Sequence, residues 1–270
     1  HSDDRSSLMA VHRALADGEI DTFSNEHRMR CKDGSWKWIH ARGMVANRDA
    51  DSKPVRMIGT YLDISERKQA EETIQRQANF DPLTQLPNRR LFLDRLAQET
   101  IKARRADSSL ALLLVDLDHF KEVNDTLGHD VGDTLLREAA QRIRDCIRDV
   151  DTVARLGGDE FTAILTELTD HSHVEDIAQK IIGKLAEPFH LGSEMAYVSA
   201  SVGITLYPND ASDIDSLMKN ADQAMYVAKK QGRNRFSYFT PSLQEAAQVR
   251  LKLSNDLRGA LADRQFRVYF

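Results

Sequence analysis

The sequence predicts an α/β (α+β) fold: a mixed central sheet flanked by helices, preceded by a smaller β-sheet unit and a connecting helix. Three observations lead to this prediction. Beyond residue 81, helical patterns alternate with short β-rich runs, which is typical of a sheet covered by helices. Before residue 66, stretches of alternating character surround turn signals. Between the two parts, residues 66–80 carry apolar residues at helical spacing.

A β-hairpin is predicted within residues 26–47, which read EHRMRCKDGSWKWIHARGMVAN. Asp33-Gly34 separates two alternating stretches, and Trp36 and Trp38 lie on one face of the second stretch. Residues 55–65, VRMIGTYLDIS, have a β-rich core and predict a third strand. The amino-terminal part is therefore expected to form a small sheet.

The connecting helix predicted for residues 66–80 has a narrow apolar stripe of Ala70, Ile74 and Ala78. Two interpretations of this stripe stay open. It could pair two copies of the chain, or it could belong to a solvated connector with one face on its neighbours, because a coiled-coil assignment needs three or more heptads.

The domain boundary is placed at Asp81, where the stretch DPLTQLPNRR begins. Pro82 and Pro87 end one helix, and Asn88 has the character of an N-cap for the next helix. The β-rich runs beyond this boundary are residues 110–115, 152–156, 161–165, 198–207 and 236–239.

Two acids end the most apolar of these runs. Because side chains alternate along a strand, Asp116 and Asp118 share one face, and Leu117 points the other way. Two carboxylates and a backbone carbonyl at one strand end are hard oxygen ligands. Such ligands suit Mg²⁺, which is often shared with substrate phosphates.

A second hairpin is predicted with Gly157, Gly158, Asp159 and Glu160 at its tip, between DTVARL and FTAIL. Glycine permits positive φ and lets a ligand approach the bare backbone. If this hairpin pairs beside the Asp116 strand, three carboxylates could hold metal against a nucleotide triphosphate. Two metals could then activate a hydroxyl and steady the leaving pyrophosphate. Taken alone, the tetrapeptide reads more readily as an ordinary polar turn.

The residues around this tetrapeptide change that interpretation. Residues 81–240 resemble the GGDEF domain of the diguanylate cyclase family, which implies a fold like that of polymerase palms and nucleotide cyclases. The matching motifs, all in the family's order and spacing, are DPLTQLPNRR, DLDHFKEVNDTLGHDVGD, RLGGDEF, SVGIT and YVAKKQGRN.

The resemblance implies a reaction and a metal site. Each domain of the family binds one GTP, and two domains face each other as a homodimer, so that each 3′-hydroxyl attacks the α-phosphate of the opposite GTP. The products are cyclic di-GMP and two pyrophosphates. Asp116, Asp159 and the Leu117 carbonyl are the implied ligands of Mg²⁺ or Mn²⁺. Glu160 is implied beside Asp159 in catalysis, assisting in metal binding or deprotonation.

The resemblance also implies substrate contacts. Asn124 and Asp133 match the guanine-reading positions, because a carboxylate can accept from guanine N1–H and N2–H₂, an edge that adenine lacks. Lys229 and Arg233 match the phosphate-contacting pair; without the family they would be read as cations at a solvated helix end. The remaining implied contacts are the backbone amides of Phe120 and Lys121 and the loop residue His129.

An inhibitory site is implied just ahead of the second hairpin. Arg148 and Asp151 match the family's RxxD pattern. An arginine can bond guanine O6 and N7, so bound cyclic di-GMP could be held there and lock the domains apart. The plainer interpretation is a surface ion pair.

The flanking segments resemble two further families. Residues 1–65 resemble the carboxy-terminal half of a PAS sensor domain, with residues 66–80 as its signalling helix. This resemblance implies sensor elements ahead of residue 1 and leaves the sensor's ligand unknown. Residues 241–270 resemble a linker helix and the start of an EAL domain, the cyclic di-GMP phosphodiesterase family. No EAL motif occurs in the chain. The expected division is therefore 1–65, 66–80, 81–240 and 241–270.

Two alternatives to the synthesis of cyclic di-GMP stay open. The chain could be a GTP-binding regulatory module that tunes a downstream EAL domain, although the usual mark of such modules, a degraded GGDEF motif, is absent. It could also be another palm-like enzyme, such as a purine cyclase, although Asn124 and Asp133 argue against ATP.

Composition narrows the class of protein. A net charge of −5 argues against a general nucleic-acid binder. The longest apolar run, residues 110–115, is far short of the roughly 18 residues that span a bilayer. Cys31 and Cys146 are too few for a disulfide framework. We expect a cytoplasmic location, with the full-length protein open to membrane tethering through a preceding region.

Overall fold

The computed structural model describes residues 1–168, 172–192 and 194–243. The chain divides into two compact units, one ending at Gln77 and the other beginning at Ala78. The domain boundary predicted at Asp81 stays a prediction. Of the segment predicted to lead into an EAL domain, residues 244–270 lie outside the described residues. No helix in the described ranges has both the length and the apolar character needed to cross a membrane.

The first unit is a three-stranded antiparallel sheet with two helices. Its strands follow the order β1-β2-β3. The elements are α1 (Arg5–Ala16), β1 (Thr22–Arg30), β2 (Trp36–Arg48), β3 (Pro54–Asp63) and α2 (Ser65–Asn79). The predicted hairpin, third strand and connecting helix are confirmed, whereas α1 has no counterpart among the sequence-based predictions.

The turn of the first hairpin is closed by local hydrogen bonds. Cys31 N–H donates to the Ser35 carbonyl over 2.8 Å, and the Asp33 carboxylate accepts from the Ser35 amide over 2.9 Å. Gly34 adopts a φ of 88°, which favours glycine. These contacts fix the register in which Arg30 faces Trp36.

The connecting helix α2 buries no residue. Ile74, at the centre of the predicted apolar stripe, is 63% exposed. Both interpretations of the stripe, a pairing surface and a solvated connector, remain compatible with this exposure.

The second unit is a five-stranded mixed sheet with helices on both faces, as the sequence predicts. Its strands follow the order β10-β9-β4-β6-β5. Only β10 and β9 are parallel; the other neighbours are antiparallel. The helices are α3 (Arg89–Ala106), α4 (Phe120–Leu127), α5 (His129–Arg144), α6 (Ser172–Ala186) and α7 (Ile214–Lys230). The sheet strands are β4 (Ser109–Asp118), β5 (Thr152–Gly157), β6 (Glu160–Leu168), β9 (Ser199–Tyr207) and β10 (Arg235–Tyr238); β7 (Phe189–Leu191) and β8 (Glu194–Ala196) form a separate small sheet.

Strand β4 lies at the centre of this sheet and is buried on both faces. Ala111, Leu113 and Val115 join the larger apolar cluster on one face. Leu112 and Leu114 join a second cluster on the other face, with residues of α3 and α7. A strand covered on both sides needs a continuous apolar run, which explains why the Leu110–Val115 segment does not alternate in sequence.

Caps define where the helices that flank β4 begin. The Asn88 side chain accepts from Leu91 N–H at the start of α3, which confirms the predicted N-cap. Asp213 caps α7 in the same way through Ser216 N–H.

Close packing of α7 on β9 depends on a glycine. A Cβ on Gly203 would lie 2.0 Å from the Ala221 carbonyl oxygen and 2.4 Å from Met225 N. Both neighbours are helix backbone, which cannot move aside as a side chain can. Because α7 ends at the residues predicted to contact phosphates, this packing also sets their position.

We expect Gly203→Ala to lower the free energy of unfolding by about 1–3 kcal/mol, because the added methyl group overpacks the interface between α7 and β9. Urea denaturation followed by circular dichroism measures the change. Gly183→Ala is the matched control: Gly183 lies in α6, and nothing lies within 4 Å of an added Cβ. This control should gain about 0.5–1 kcal/mol from helix propensity. Equal stabilities for the two variants would refute the packing argument.

Candidate active site

The site lies at the end of β4, where the apolar run gives way to acids. The Asp116 side chain is 11% exposed, and the Asp118 side chain is 0% exposed. Leu117 lies between them and is buried in the larger apolar cluster. The strand thus points two carboxylates to one face, as the alternation in sequence predicts.

The second predicted hairpin is confirmed, and it pairs beside β4. Strands β5 and β6 are antiparallel neighbours, and Glu160 lies opposite Asp116 in the register between β6 and β4. Leu117 N–H donates to the Asp159 carbonyl over 3.3 Å. Gly158 has a φ of 53°, a conformation that side-chain-bearing residues rarely adopt. The turn therefore places both of its acids beside the end of β4.

An arginine clamps this turn to the start of the domain. Arg155 Nε and Nη2 donate to the Gly158 carbonyl over 3.0 and 2.8 Å. Its Nη1 donates to both oxygens of Asp81 over 3.0 and 3.1 Å. The two side chains are only 11% and 17% exposed. Burial favours the neutral acid, but hydrogen bonds from Thr84 and Arg155 lower the pKa of the Asp81 carboxyl overall.

Cations from the end of α7 reach the two acids of β4. Lys229 Nζ lies 2.7 Å from Asp116 Oδ1, and Arg233 Nε lies 3.8 Å from Asp118 Oδ1. Charges at a helix C-terminus usually extend into solvent. Here they converge with the carboxylates, so the structure brings together four of the residues that the sequence singles out.

Asp116 is held in a strongly charged environment. Burial raises the pKa of its carboxyl, and the nearby charges of Asp159 and Asp118 raise it further, while the bond from Lys229 opposes the shift. Within the described ranges, no three His, Cys, Asp or Glu side chains come together in an arrangement ready to hold a metal ion. In this state the Lys229 ammonium balances the Asp116 charge.

The donor set nevertheless suits a hard divalent cation. The Asp116 carboxylate, the Leu117 carbonyl and the Asp159 carboxylate belong to residues that meet at one end of the sheet. Oxygen donors of this kind suit Mg²⁺ or Mn²⁺. The ammonium of Lys229 beside Asp116 shows that this position already attracts positive charge.

The helices after β4 carry Asn124 and Asp133. A Cβ on Gly132, which precedes Asp133 in α5, would lie 1.9 Å from Asn124 Oδ1 and 3.3 Å from Phe120 Cζ. The missing side chain of Gly132 therefore makes room for the Asn124 amide. The structure places Asn124 directly against the backbone that leads into Asp133.

The start of α4 presents the amides of Phe120 and Lys121. The preceding residue, His119, has a φ of 63°, and its Nδ1 lies 2.7 Å from Glu122 Oε1. The first N–H groups of a helix have no partner inside the helix, which is the property that the predicted phosphate contact of these two amides requires. His129, at the start of α5, is exposed.

The predicted inhibitory pair is separate from these acids. The Asp151 carboxylate accepts from Arg148 N–H over 3.2 Å and from Thr166 N–H over 3.0 Å. Thr166 and Glu160 are six residues apart on β6, which corresponds to about 20 Å along a strand. No ion pair between the Arg148 guanidinium and Asp151 occurs in the part of the chain that the structure describes.

A cavity of about 200 Å³ lies at this second location. Besides Arg148 and Asp151, its lining includes Arg95 and Arg144. The lining also includes Asp149, so three arginines stand against two aspartates, and the formal charge of +1 that remains favours an anionic ligand.

The sequence predicts no role for Arg155, and it predicts Asp118 only as one of two strand-end carboxylates that suit Mg²⁺. Arg155 stands inside the RLGGDEF motif, but its partner Asp81 is 74 positions away in the chain. Asp118 was recognised as a strand-end acid, yet its partners on β9 and after α7 could not be read from local spacing. The sequence signal for Asp118 is its place two residues after Asp116, at the end of an apolar run.

Comparison with known families gives two matches. The family profile described as "Diguanylate cyclase, GGDEF domain" matches residues 78–235. The profile described as "PAS fold" matches residues 1–61.

Individual relatives agree with these matches. The bifunctional diguanylate cyclase/cyclic di-GMP phosphodiesterase MucR of Pseudomonas aeruginosa is 46% identical over 190 residues, which is 70% of this chain and 28% of MucR. The chain thus spans little more than a quarter of that relative.

Solved structures agree as well. The GGDEF domain of TpbB from Pseudomonas aeruginosa has a TM-score of 0.61 and 40% identity, covering 63% of this chain and 99% of that one. The coiled coil and GGDEF domain of DgcB from Caulobacter crescentus, solved in complex with c-di-GMP, has a TM-score of 0.59 and 29% identity, covering 65% and 93%.

Proposed function

The chain belongs to the diguanylate cyclase GGDEF family, and on that premise we propose that it condenses two GTP molecules into cyclic di-GMP and two pyrophosphates. The observation that carries the proposal is the register of the second hairpin. It sets Asp159 and Glu160 beside Asp116, with the Lys229 cation at the same place.

The metal site of this reaction is assigned to Asp116, Asp159 and the Leu117 carbonyl. When bound there, a pair of Mg²⁺ or Mn²⁺ ions would polarise the phosphoryl oxygens, activate the attacking hydroxyl and stabilise the leaving pyrophosphate. Glu160, opposite Asp116, assists either as a further oxygen ligand or as the acceptor of the hydroxyl proton.

The phosphates are assigned to donors on two helices. Lys229 in the last turn of α7 and Arg233 in the turn after it supply positive charge. The amides of Phe120 and Lys121, at the start of α4, are assigned as further donors because the first N–H groups of a helix have no acceptor inside it. Preorganised donors of this kind stabilise charge that develops on the phosphate during transfer. His129 lies at the start of the next helix and completes the proposed substrate contacts.

Guanine is assigned to Asn124 and Asp133. The Asp133 carboxylate accepts from N1–H and N2–H₂ of guanine, and adenine would leave that carboxylate unpaired. The contact of Asn124 with Gly132 supports this assignment, because it fixes the amide next to Asp133.

One domain holds only half of this reaction. Each GTP needs the hydroxyl of a second GTP, so we propose catalysis across a homodimer. The exposed stripe of α2 around Ile74 is one surface through which two chains could pair.

Regulation is proposed at both ends of the chain. The match to the PAS fold supports a sensor input through α2, with a ligand that the sequence does not identify. The bifunctional name of MucR supports an EAL domain in cis in the full-length protein. The arginine-lined cavity at Arg148 and Asp151 supports product inhibition by cyclic di-GMP.

We expect Asp159→Ala to lower the rate of cyclic di-GMP formation by about 100-fold or more, because it removes a carboxylate from the charge-stabilising site. The assay incubates the chain with GTP and Mg²⁺ and resolves the products by chromatography. Asp94→Ala, at an exposed position on α3, is the matched control and should retain activity.

The outcome also separates synthesis from regulation. Cyclic di-GMP from the parent chain and the control, but none from Asp159→Ala, supports the cyclase. Intact GTP at high protein concentration, with GTP binding still measurable, would instead indicate the regulatory module.

Gly132→Ala tests the guanine site without removing a guanine-contacting side chain. We expect the KM for GTP to rise roughly tenfold, because the new methyl group displaces the Asn124 amide and leaves a hydrogen bond unmade. The kcat should change much less. Gly183→Ala, also a helical glycine, is the control; an unchanged KM in Gly132→Ala would contradict the assignment.

Arg148→Ala tests the inhibitory site. We expect the concentration of cyclic di-GMP that halves the initial rate to rise roughly tenfold, because one bidentate contact to guanine is lost. Uninhibited activity should be retained. Arg105→Ala, an exposed arginine at the end of α3, should leave inhibition unchanged; equal inhibition of all three proteins would rule out this location.

A further inference from the structure

Asp118 is a buried carboxylate to which the proposed reaction gives no role. Its side chain is 0% exposed. Aspartate is almost never buried this completely unless its charge is paired or hydrogen-bonded. Its partners therefore show what it does.

Three donors converge on Asp118. Ser199 Oγ donates to Oδ2 over 2.6 Å, and Ser201 Oγ donates to Oδ1 over 2.7 Å. Asn234 N–H donates to Oδ2 over 3.2 Å. The two serines belong to the neighbouring strand β9, whereas Asn234 belongs to the turn that follows α7. The carboxylate thus ties this turn to the centre of the sheet.

The turn that Asp118 holds has an unfavourable backbone. Gly232, Arg233 and Asn234 have φ values of 113°, 60° and 49° in succession. Two of these three residues carry side chains, for which the left-handed region is disfavoured. Such conformations persist only when surrounding contacts determine them. The bond from Asn234 N–H to Asp118 is one of these contacts.

We infer that Asp118 is a positioning residue that holds this turn and thereby directs Arg233 toward the nucleotide phosphates. The inference rests on the proposed function, because it assigns Arg233 to the triphosphate. Arg233 Nε lies 3.8 Å from Asp118 Oδ1, so the carboxylate also attracts the guanidinium directly. The effect of Asp118 on the substrate therefore passes through Arg233.

The two acids of β4 consequently have different tasks. Asp116 pairs with the cation Lys229 and keeps some exposure to solvent. Both oxygens of Asp118 already accept hydrogen bonds from the protein. Asp118 is therefore occupied in holding structure, and Asp116 is the acid of this pair with capacity for a ligand.

A double-mutant cycle on nucleotide binding tests the inference. The proteins are the parent chain, Asp118→Asn, Arg233→Ala and the double variant, and the probe is a non-hydrolysable GTP analogue titrated by calorimetry. We expect Asp118→Asn to weaken binding roughly tenfold in the parent, and less than twofold when Arg233 is already alanine. Circular dichroism confirms folding of each variant.

Asp210→Asn is the matched control. The Asp210 carboxylate accepts from Leu206 N–H over 2.7 Å and from Thr205 Oγ1 over 3.3 Å at the opposite end of β9. Its substitution should lower stability without changing the affinity for the analogue. If Asp118→Asn does not fold, Ser201→Ala replaces it in the same cycle, because this variant removes one donor to Asp118 Oδ1. It should likewise weaken binding only when Arg233 is present.

The outcomes separate the inference from the function on which it rests. Equal weakening by Asp118→Asn with and without Arg233 would overturn the positioning role, because the effect would then be a general loss of structure. A folded parent chain that does not bind the analogue would overturn the proposed function itself.

Discussion

The burial of β4 is the constraint on which the rest of this structure depends. The strand has a neighbour on each edge and an apolar cluster on each face. Its apolar run ends at Val115, and Asp116 and Asp118, which follow, are buried with polar partners of their own. Because a shift of register would move the charge of Asp116 toward the apolar clusters, at a large desolvation cost, these two acids are fixed relative to both neighbouring strands. The β5–β6 hairpin on one side and β9 on the other are positioned by their hydrogen-bonded pairing with β4.

Electrostatics explains why cations from α7 lie at this strand end. Two acids of β4 stand beside a turn that carries two more, and burial of Asp116 makes its charge costly, as its raised pKa indicates. Lys229 offsets that charge over 2.7 Å. In the proposed reaction the Lys229 ammonium binds the phosphates of GTP instead of Asp116. The Asp116 carboxylate would then be paired with the metal ions. A site that is charge-balanced before and after substrate binding avoids leaving Asp116 buried without a partner.

Local signals in the sequence predicted the elements whose structure depends on near neighbours. The apolar run ending at Asp116, the double-glycine turn and the Asn88 cap are all readable within a few residues. The clamp of Arg155 on Asp81 was not readable, because it joins segments 74 residues apart and an arginine in a turn has many possible partners. The role of Gly132 could not be predicted either, because only the position of α4 shows that its missing side chain makes room for Asn124. Contacts that depend on how the helices pack over the sheet cannot be predicted from the spacing of residues in the sequence.

The β5–β6 hairpin gives the proposed inhibition a physical route. Its turn carries Asp159 and Glu160, and its other end is tied together by the bond between Asp151 and Thr166. The two ends are about 20 Å apart along β6, so a ligand at Arg148 does not occupy the catalytic acids of the same domain. Inhibition from that position must act on something other than access to the acids. A reaction that needs two domains in register offers such a target, because a ligand that fixes one domain away from its partner stops synthesis while leaving each half-site intact.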